Sequence, residues 1–200
     1  SETNYFIDVL GSYSLITLLN IPSSMNGSIS YAFVGPLRKR FSSKSLWIFN
    51  DVYNSALSIG VFLFGMTKKK TMFQKTVPMC IAFGIKEWFI KWSWGISKVI
   101  NAELWNEAMD YCEWKNGYRA EAMTGVARGL VTKLQGIVMG SIQNFIMKRI
   151  GYVQGLSIGT QADSTKWWIF AMGTGVPVIT GALGVIPKFF HNLNGEKRDR

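Results

Sequence analysis

Histidine and cysteine are scarce in this sequence. The chain of 200 residues has one histidine, His191, and two cysteines, Cys80 and Cys112. A single histidine argues against catalysis by histidine pairs and against metal sites built from several histidines. The spacing of the two cysteines matches neither a metal-binding nor a redox motif, and we expect no disulfide between them. We therefore expect neither a resident metal nor a cofactor.

Acidic residues are also scarce, and they are unevenly distributed. The chain has 22 lysines and arginines but only 12 aspartates and glutamates, which gives a formal net charge of +10. Such a charge fits either a nucleic-acid surface or loops beside anionic lipid. Because the basic runs lie between apolar segments, we favour lipid and expect no nucleic-acid partner.

Apolar and aromatic residues are abundant. Hydrophobic residues make up 48% of the chain, which includes 8 tryptophans, 13 phenylalanines and 20 glycines. This composition is typical of a membrane protein with interfacial tryptophans and glycine-mediated helix contacts. Five segments are long enough to cross a bilayer, at residues 12–34, 46–66, 77–99, 121–147 and 167–187. We find no repeat or heptad pattern, so we predict an all-α, polytopic membrane helix bundle.

Charged residues inside these segments need partners. Asp51 is the one charge in its segment, whereas residues 77–99 contain Lys86, Glu87 and Lys91. Glu87 and Lys91 are four positions apart and can neutralise each other. Lys86 then needs another partner, a cavity, or a helix that starts nearer the membrane surface. Three tryptophans of the same segment are core residues, interfacial anchors or a stacking platform for a sugar ring: Trp88, Trp92 and Trp94.

The segment at 121–147 has glycines along one helical face, at positions 125, 129, 136 and 140, and Lys133 takes the vacant place in that series. Small residues let helices approach closely, so Lys133 is expected to face the inside of a bundle. An ionisable residue there is a candidate functional site, although Lys133 could instead pair with a buried acid. Arg128 and Thr132 precede Lys133 by five residues and by one residue.

A charged stretch at 101–120 separates the third and fourth segments. Glu103, Glu107 and Asp110 recur at helical spacing and share one face. Residues 115–117 (KNG) predict a break, after which Arg119 opens the next helix. We interpret the stretch as a loop at a membrane face or as polar helix ends projecting from it. An alternative is that the three carboxylates bind Mg²⁺ in a membrane-embedded transferase, which the absence of a second acidic cluster disfavours.

The run at 110–121, DYCEWKNGYRAE, resembles the "DYgEwktGkRaEg" signature of the glycoside–pentoside–hexuronide:cation symporters. These are sugar–cation cotransporters of the major facilitator fold, related to the melibiose permease. The resemblance implies that the run joins the tenth and eleventh transmembrane helices on the cytoplasmic side. The five segments would then be helices eight to twelve, that is, the C-terminal half of a transporter whose N-terminal half is a partner.

The resemblance implies secondary transport of a sugar, glycoside or uronide with co-transported Na⁺ or H⁺, by a multi-pass protein of the cell membrane that is not an enzyme. It places Lys133 near the ion and sugar sites, and it makes Arg128 and Thr132 further candidates for the substrate and cation pathway if the eleventh helix lines that pathway. It also implies a cytoplasmic gate of ion pairs with the first half, made by Glu107, Asp110, Glu113, Arg119 and Glu121. The alternative is a transport-incompetent membrane fragment, because the family's cation-binding acids lie in the first half and this chain starts at Ser1.

Two basic connections leave the orientation open. The resemblance places the basic residues at 35–45 in the cytoplasm, which puts the lysines at 68–75 outside. The excess of lysine and arginine that cytoplasmic loops usually carry favours the opposite side for those lysines.

Overall fold

The computed structural model describes residues 2–117 and 121–189, and all regular structure in these ranges is helical. This confirms the predicted all-α class. The helices are α1 (Glu2–Asp8), α2 (Ser14–Arg40), α3 (Ser43–Lys70), α4 (Thr76–Trp92), α5 (Trp94–Asn116), α6 (Glu121–Arg149) and α7 (Asp163–Phe189), with a 3₁₀ turn at Met72–Gln74.

The chain divides into two compact units. The first unit contains residues 1–100 and 155–200, and the second unit contains residues 101–154. In the first unit, α7 packs most extensively against α3, and α2 packs against α4. The candidate sites described below lie within one unit or the other.

The core of the first unit is a cluster of aromatic rings from four elements. The ring centre of Phe170 lies 5.3 Å from that of Tyr5 and 5.5 Å from that of Phe73, and the ring centre of Phe83 lies 5.4 Å from that of Tyr5. The Tyr5 hydroxyl donates to the carbonyl oxygen of Phe73, so a buried polar group is satisfied. Gly65 of α3 leaves room for this cluster, since a Cβ there would lie 2.2 Å from Phe170 Cζ.

Glycines on α7 allow the close contact with α3. A Cβ at Gly181 would lie 2.3 Å from Ser55 Oγ, and one at Gly184 would lie 3.7 Å from Asp51 Oδ2. Within the described residues, α7 is also the one helix that is long and apolar enough to cross a membrane. Of the helices over the other expected segments, α4 is only 17 residues long, and α2, α3 and α6 carry more charged and polar residues. The count of five spans therefore stays a prediction.

The segment expected at 77–99 differs from one continuous helix. α4 ends at Trp92 and α5 begins at Trp94, with Ser93 between them at φ −89° and ψ −2°. Ser93 N–H donates to the Ile90 carbonyl at 3.1 Å, and its hydroxyl oxygen lies 2.9 Å from the same oxygen. Such local bonds compete with the regular helical pattern and end it here.

The basic connection expected at 35–45 is also shorter than the sequence suggested. α2 continues to Arg40, so Arg38, Lys39 and Arg40 lie in its last turn, where cations favour the negative end of the helix dipole. α3 then begins at Ser43, and the hydroxyl of Ser42 accepts a hydrogen bond from Ser45 N–H at 3.2 Å. This N-cap fixes the start of α3.

Candidate functional site

The acidic stretch of the second unit is helical up to Asn116. α5 ends there, and Gly117 has a φ of 74°, a left-handed conformation that glycine adopts without steric cost. The predicted break is therefore confirmed at Gly117, and residues 101–116 form a helix end rather than a loop. Arg119, one of the expected gate residues, lies outside the described residues.

The other expected gate residues lie on either side of this break. Glu107, Asp110 and Glu113 belong to the last turns of α5, and Glu121 is the first residue of α6. Glu107 is half-buried, whereas Asp110, Glu113 and Glu121 are exposed. Their spacing on α5 puts Glu107 and Asp110 on one helical face. The gate role of these carboxylates stays a proposal.

The expected pathway residues lie on α6 in the second unit. Arg128 lies 4.6 Å from the ring centre of Trp105 on α5, close enough for a cation–π contact. The Thr132 hydroxyl donates to the Arg128 carbonyl at 2.8 Å, one turn earlier on the helix. Lys133 is exposed.

The glycine face of α6 has no described helix against it. A Cβ built at any of its four glycines would meet nothing within 4 Å among the described residues: Gly125, Gly129, Gly136 and Gly140. We expected these glycines to place Lys133 inside a bundle. Among the described residues, no atom makes such a close contact with these four glycines. The role of Lys133 in a pathway stays a prediction.

The first unit contains a polar cavity of about 490 Å³ between α1, α3, α4 and α7. α3 contributes four polar side chains that recur at helical spacing on one face: Asp51, Asn54, Ser55 and Ser58. The remaining lining residues come from the other three helices: Glu2 from α1, Lys86, Glu87 and Ile90 from α4, and Pro177, Thr180 and Gly181 from α7.

Two carboxylates surround one ammonium group at the edge of this cavity. Lys86 is 5% exposed, and its Nζ contacts Glu2 Oε1 and lies 3.6 Å from Glu87 Oε1. The predicted pairing of Glu87 with Lys91 is wrong, because Lys91 Nζ instead lies 4.3 Å from the ring centre of Trp94. A buried ammonium needs compensating charge more than an exposed one, so Lys86 takes the carboxylates.

A second ion pair connects α3 and α7. Lys188 Nζ lies 2.6 Å from Asp51 Oδ2 and 4.2 Å from the ring centre of Trp47. Lys188 is 8% exposed, so the pair is largely removed from water. With Asp51 neutralised in this way, Glu2, Lys86 and Glu87 leave one net negative charge at the cavity. The cavity therefore offers hydroxyl, amide and carboxylate groups, which suit a polyol or a small cation.

Sequence reasoning missed most of this cavity. Asp51 stood out as the one charge of its segment, but Glu2 and Lys188 gave no local signal of their roles. The polar stripe on α3 was readable, since its four members follow the i, i+3, i+4, i+7 spacing of one helical face. Among the described residues, no group of three or more histidine, cysteine, aspartate or glutamate side chains is placed to hold a metal ion.

Comparison with known families decides the class of the protein. Residues 3–195 match the family described as MFS/sugar transport protein. The chain belongs to this family. It is thus a membrane protein of the major facilitator superfamily, and the predictions of a transporter rather than an enzyme and of a facilitator-type helix bundle are confirmed. Membership also removes the Mg²⁺-dependent transferase from consideration.

The comparison with curated proteins gives a relative whose printed name fits this family. The "Putative sulfoquinovose importer" of Salmonella typhimurium is 25% identical to this MFS/sugar transport chain over 170 residues, which cover 80% of the chain and 31% of that protein. The chain therefore spans about a third of the length of this relative. No solved structure matches the 200-residue chain.

Proposed function

We propose that this chain is the C-terminal part of a larger transporter, which takes up a sugar, glycoside or uronide together with Na⁺ or H⁺. The observation that carries this proposal is the family match over residues 3–195. The signature-like run at 110–121 and the printed name of the Salmonella relative, a sugar importer, support the same substrate class. We also propose that the protein is multi-pass, with the five segments as its membrane spans.

The polar cavity of the first unit supports a role in ligand binding. Sugar hydroxyls both donate and accept hydrogen bonds, and the wall of α3 offers amide and hydroxyl partners at Asn54, Ser55 and Ser58. The net negative charge left by Glu2, Lys86 and Glu87 favours a cation over an anion. An acidic sugar would therefore bind elsewhere, and we assign this cavity to the coupling cation or to a neutral sugar moiety.

Coupling follows from the cost of burying charge. A site with an uncompensated negative charge resists closure in a low-dielectric surrounding, and a bound cation removes that cost. A ligand shifts a conformational equilibrium only by its difference in affinity for the two states. Cation and sugar bound together would thus favour the inward-facing state, by rocking of the two halves about the bound ligands.

In this proposal the carboxylates on either side of Gly117 form the cytoplasmic gate with Arg119. Their ion pairs with the N-terminal half would hold the outward-facing state and separate as the cavity opens inward. Lys133, with Arg128 and Thr132, would border the pathway on α6. The open glycine face of α6 is consistent with a helix of the other half packing there.

Uptake into proteoliposomes tests the proposal. Labelled β-glycosides, glucuronides and a sulfonated sugar would be supplied with and without an inward sodium or proton gradient, to this chain and to a longer protein that contains it. Gradient-driven uptake by the longer protein alone supports the proposal. Uptake by the 200-residue chain would refute the need for another half, and absence of uptake by both would favour a transport-incompetent membrane protein.

A further inference from the structure

Two lysines make cation–π contacts with the ring of the same exposed tryptophan, where α4 meets α5. Lys91 Nζ lies 4.3 Å, and Lys98 Nζ 4.7 Å, from the ring centre of Trp94. The indole is 38% exposed. We call these three residues the lysine–tryptophan cluster.

The two ammonium groups have no carboxylate within ion-pair distance among the residues that the structure describes. They are held near each other by one ring, so their like charges repel. The ring quadrupole offsets part of this repulsion, but an anion over the cluster would offset more. The chemistry of the cluster therefore calls for an anionic partner.

The cluster is held in place by α2 rather than projecting freely. A Cβ at Gly27 of α2 would lie 3.9 Å from Lys91 Cδ and 4.0 Å from Trp94 Cδ1, so the lysine stem and the indole both pack at this glycine. The residue after Trp94 is fixed too, because Gly95 N–H donates to Ser30 Oγ at 2.8 Å. A partner that binds here loses less ordering entropy than one that must organise two free lysines.

The position of the cluster suits the headgroup end of the segment at 77–99, since Lys98 is next to its last residue and a long lysine stem lets the ammonium of Lys91 reach the interface. It lies at the junction of two helices, next to Trp92, whose ring centre lies 5.1 Å from that of Phe33. Exposed tryptophans and lysines are the residues that concentrate at the interface between lipid and water. After Ile100, the chain continues into the charged residues of α5.

We infer that the lysine–tryptophan cluster binds the phosphate of an anionic phospholipid headgroup. The two ammonium groups and the indole N–H are donors for the phosphate oxygens, and the indole face covers the apolar start of the acyl chains. The charge, the lack of carboxylate partners and the packing on α2 lead to this lipid class.

Lipid retention in mixed nanodiscs tests this inference. The purified chain is reconstituted with equal amounts of phosphatidylglycerol and phosphatidylcholine, re-extracted, and its bound lipids are measured by mass spectrometry. We expect phosphatidylglycerol to be preferred in the unmodified chain. The double change Lys91→Gln with Lys98→Gln should lower the preference roughly fivefold for each lysine removed. A matched control, Lys75→Gln with Lys148→Gln, removes two other exposed lysines and should leave it unchanged.

Equal losses of the phosphatidylglycerol preference in the test and control variants would refute a defined site, because the preference would then depend on the general surface charge. An unchanged preference in the test variant would refute it as well. The charge-conserving change Lys91→Arg with Lys98→Arg should retain the preference, which separates lost binding from misfolding. Displacement of the phosphatidylglycerol by inorganic phosphate in solution would show that the cluster binds free phosphate, and it would refute the lipid as the occupant.

Discussion

Single ion pairs link helices of the first unit that are far apart in sequence. Asp51 and Lys188 are separated by 137 positions, yet their charged atoms lie 2.6 Å apart. Removing one member of such a pair leaves the other charge in a poorly hydrated place, which costs more than the pair itself contributes. This asymmetry makes the pair a sensitive test of the α3–α7 contact.

We expect Asp51→Asn to lower the free energy of unfolding by about 1–3 kcal/mol, because the Lys188 ammonium loses its counter-charge. The further change Lys188→Met should restore much of the loss. Lys166→Gln is the control, since its partner Asp163 is 82% exposed and exposed pairs contribute little. Thermal unfolding in detergent, followed by circular dichroism, measures all three. No rescue by the second change would contradict the direct pairing.

The ammonium of Lys86 sets the charge of the cavity. Lys86→Gln leaves Glu2 and Glu87 without their cation, so the cavity becomes more negative and should bind a coupling cation more tightly. In a transport-competent protein that contains this chain, we expect the sodium concentration for half-maximal uptake to fall by about tenfold or more. Lys166→Gln serves again as the control, and an unchanged sodium dependence would exclude this cavity as the cation site.

At the scale of helices, glycines distinguish faces that are packed from faces that are open. Gly95 meets the backbone of α2, since a Cβ there would lie 2.8 Å from the carbonyl carbon of Ser30. Gly129 of α6 meets nothing within 4 Å among the described residues. A glycine-to-alanine substitution should therefore have opposite effects on the free energy of unfolding at these two positions.

Gly129→Ala should raise the free energy of unfolding of the chain by about 0.5–1 kcal/mol, because alanine favours the helix. Gly95→Ala should lower it by about 1–3 kcal/mol, because backbone atoms of α2 would have to move. Thermal or denaturant unfolding compares the two variants. Destabilisation by Gly129→Ala would mean that another helix, from this chain or a second copy, already covers the glycine face.

At the scale of the whole transporter, the gate predicts a kinetic rather than a binding defect. Arg119→Ala removes one cation from the expected gate, so the balance of outward and inward states changes while the sugar contacts remain. Transport by a longer protein containing this chain should slow at least several-fold, whereas sugar affinity in an equilibrium binding assay should change less. Equal losses of transport and binding would contradict a gate at this position.

Local features of the sequence determined the helical class and the break at residues 115–117. The 3.6-residue pattern depends on neighbouring positions alone, and the break before Gly117 follows from a glycine that adopts a left-handed conformation. Both could be read without a structure. The motif at 110–121 likewise indicated a facilitator-type sugar transporter, which the family match supports at that level.

Tertiary structure decided which charges meet. The spacing of Glu87 and Lys91 favoured a pair, but the burial of Lys86 directs Glu87 to Lys86. Glu2 and Lys188 reach their partners only because α1 and α7 fold into the same compact unit as α3 and α4. Sequence spacing defines one helical face at a time, whereas ion pairs between distant positions and the cavity they border depend on which faces are brought together and removed from water.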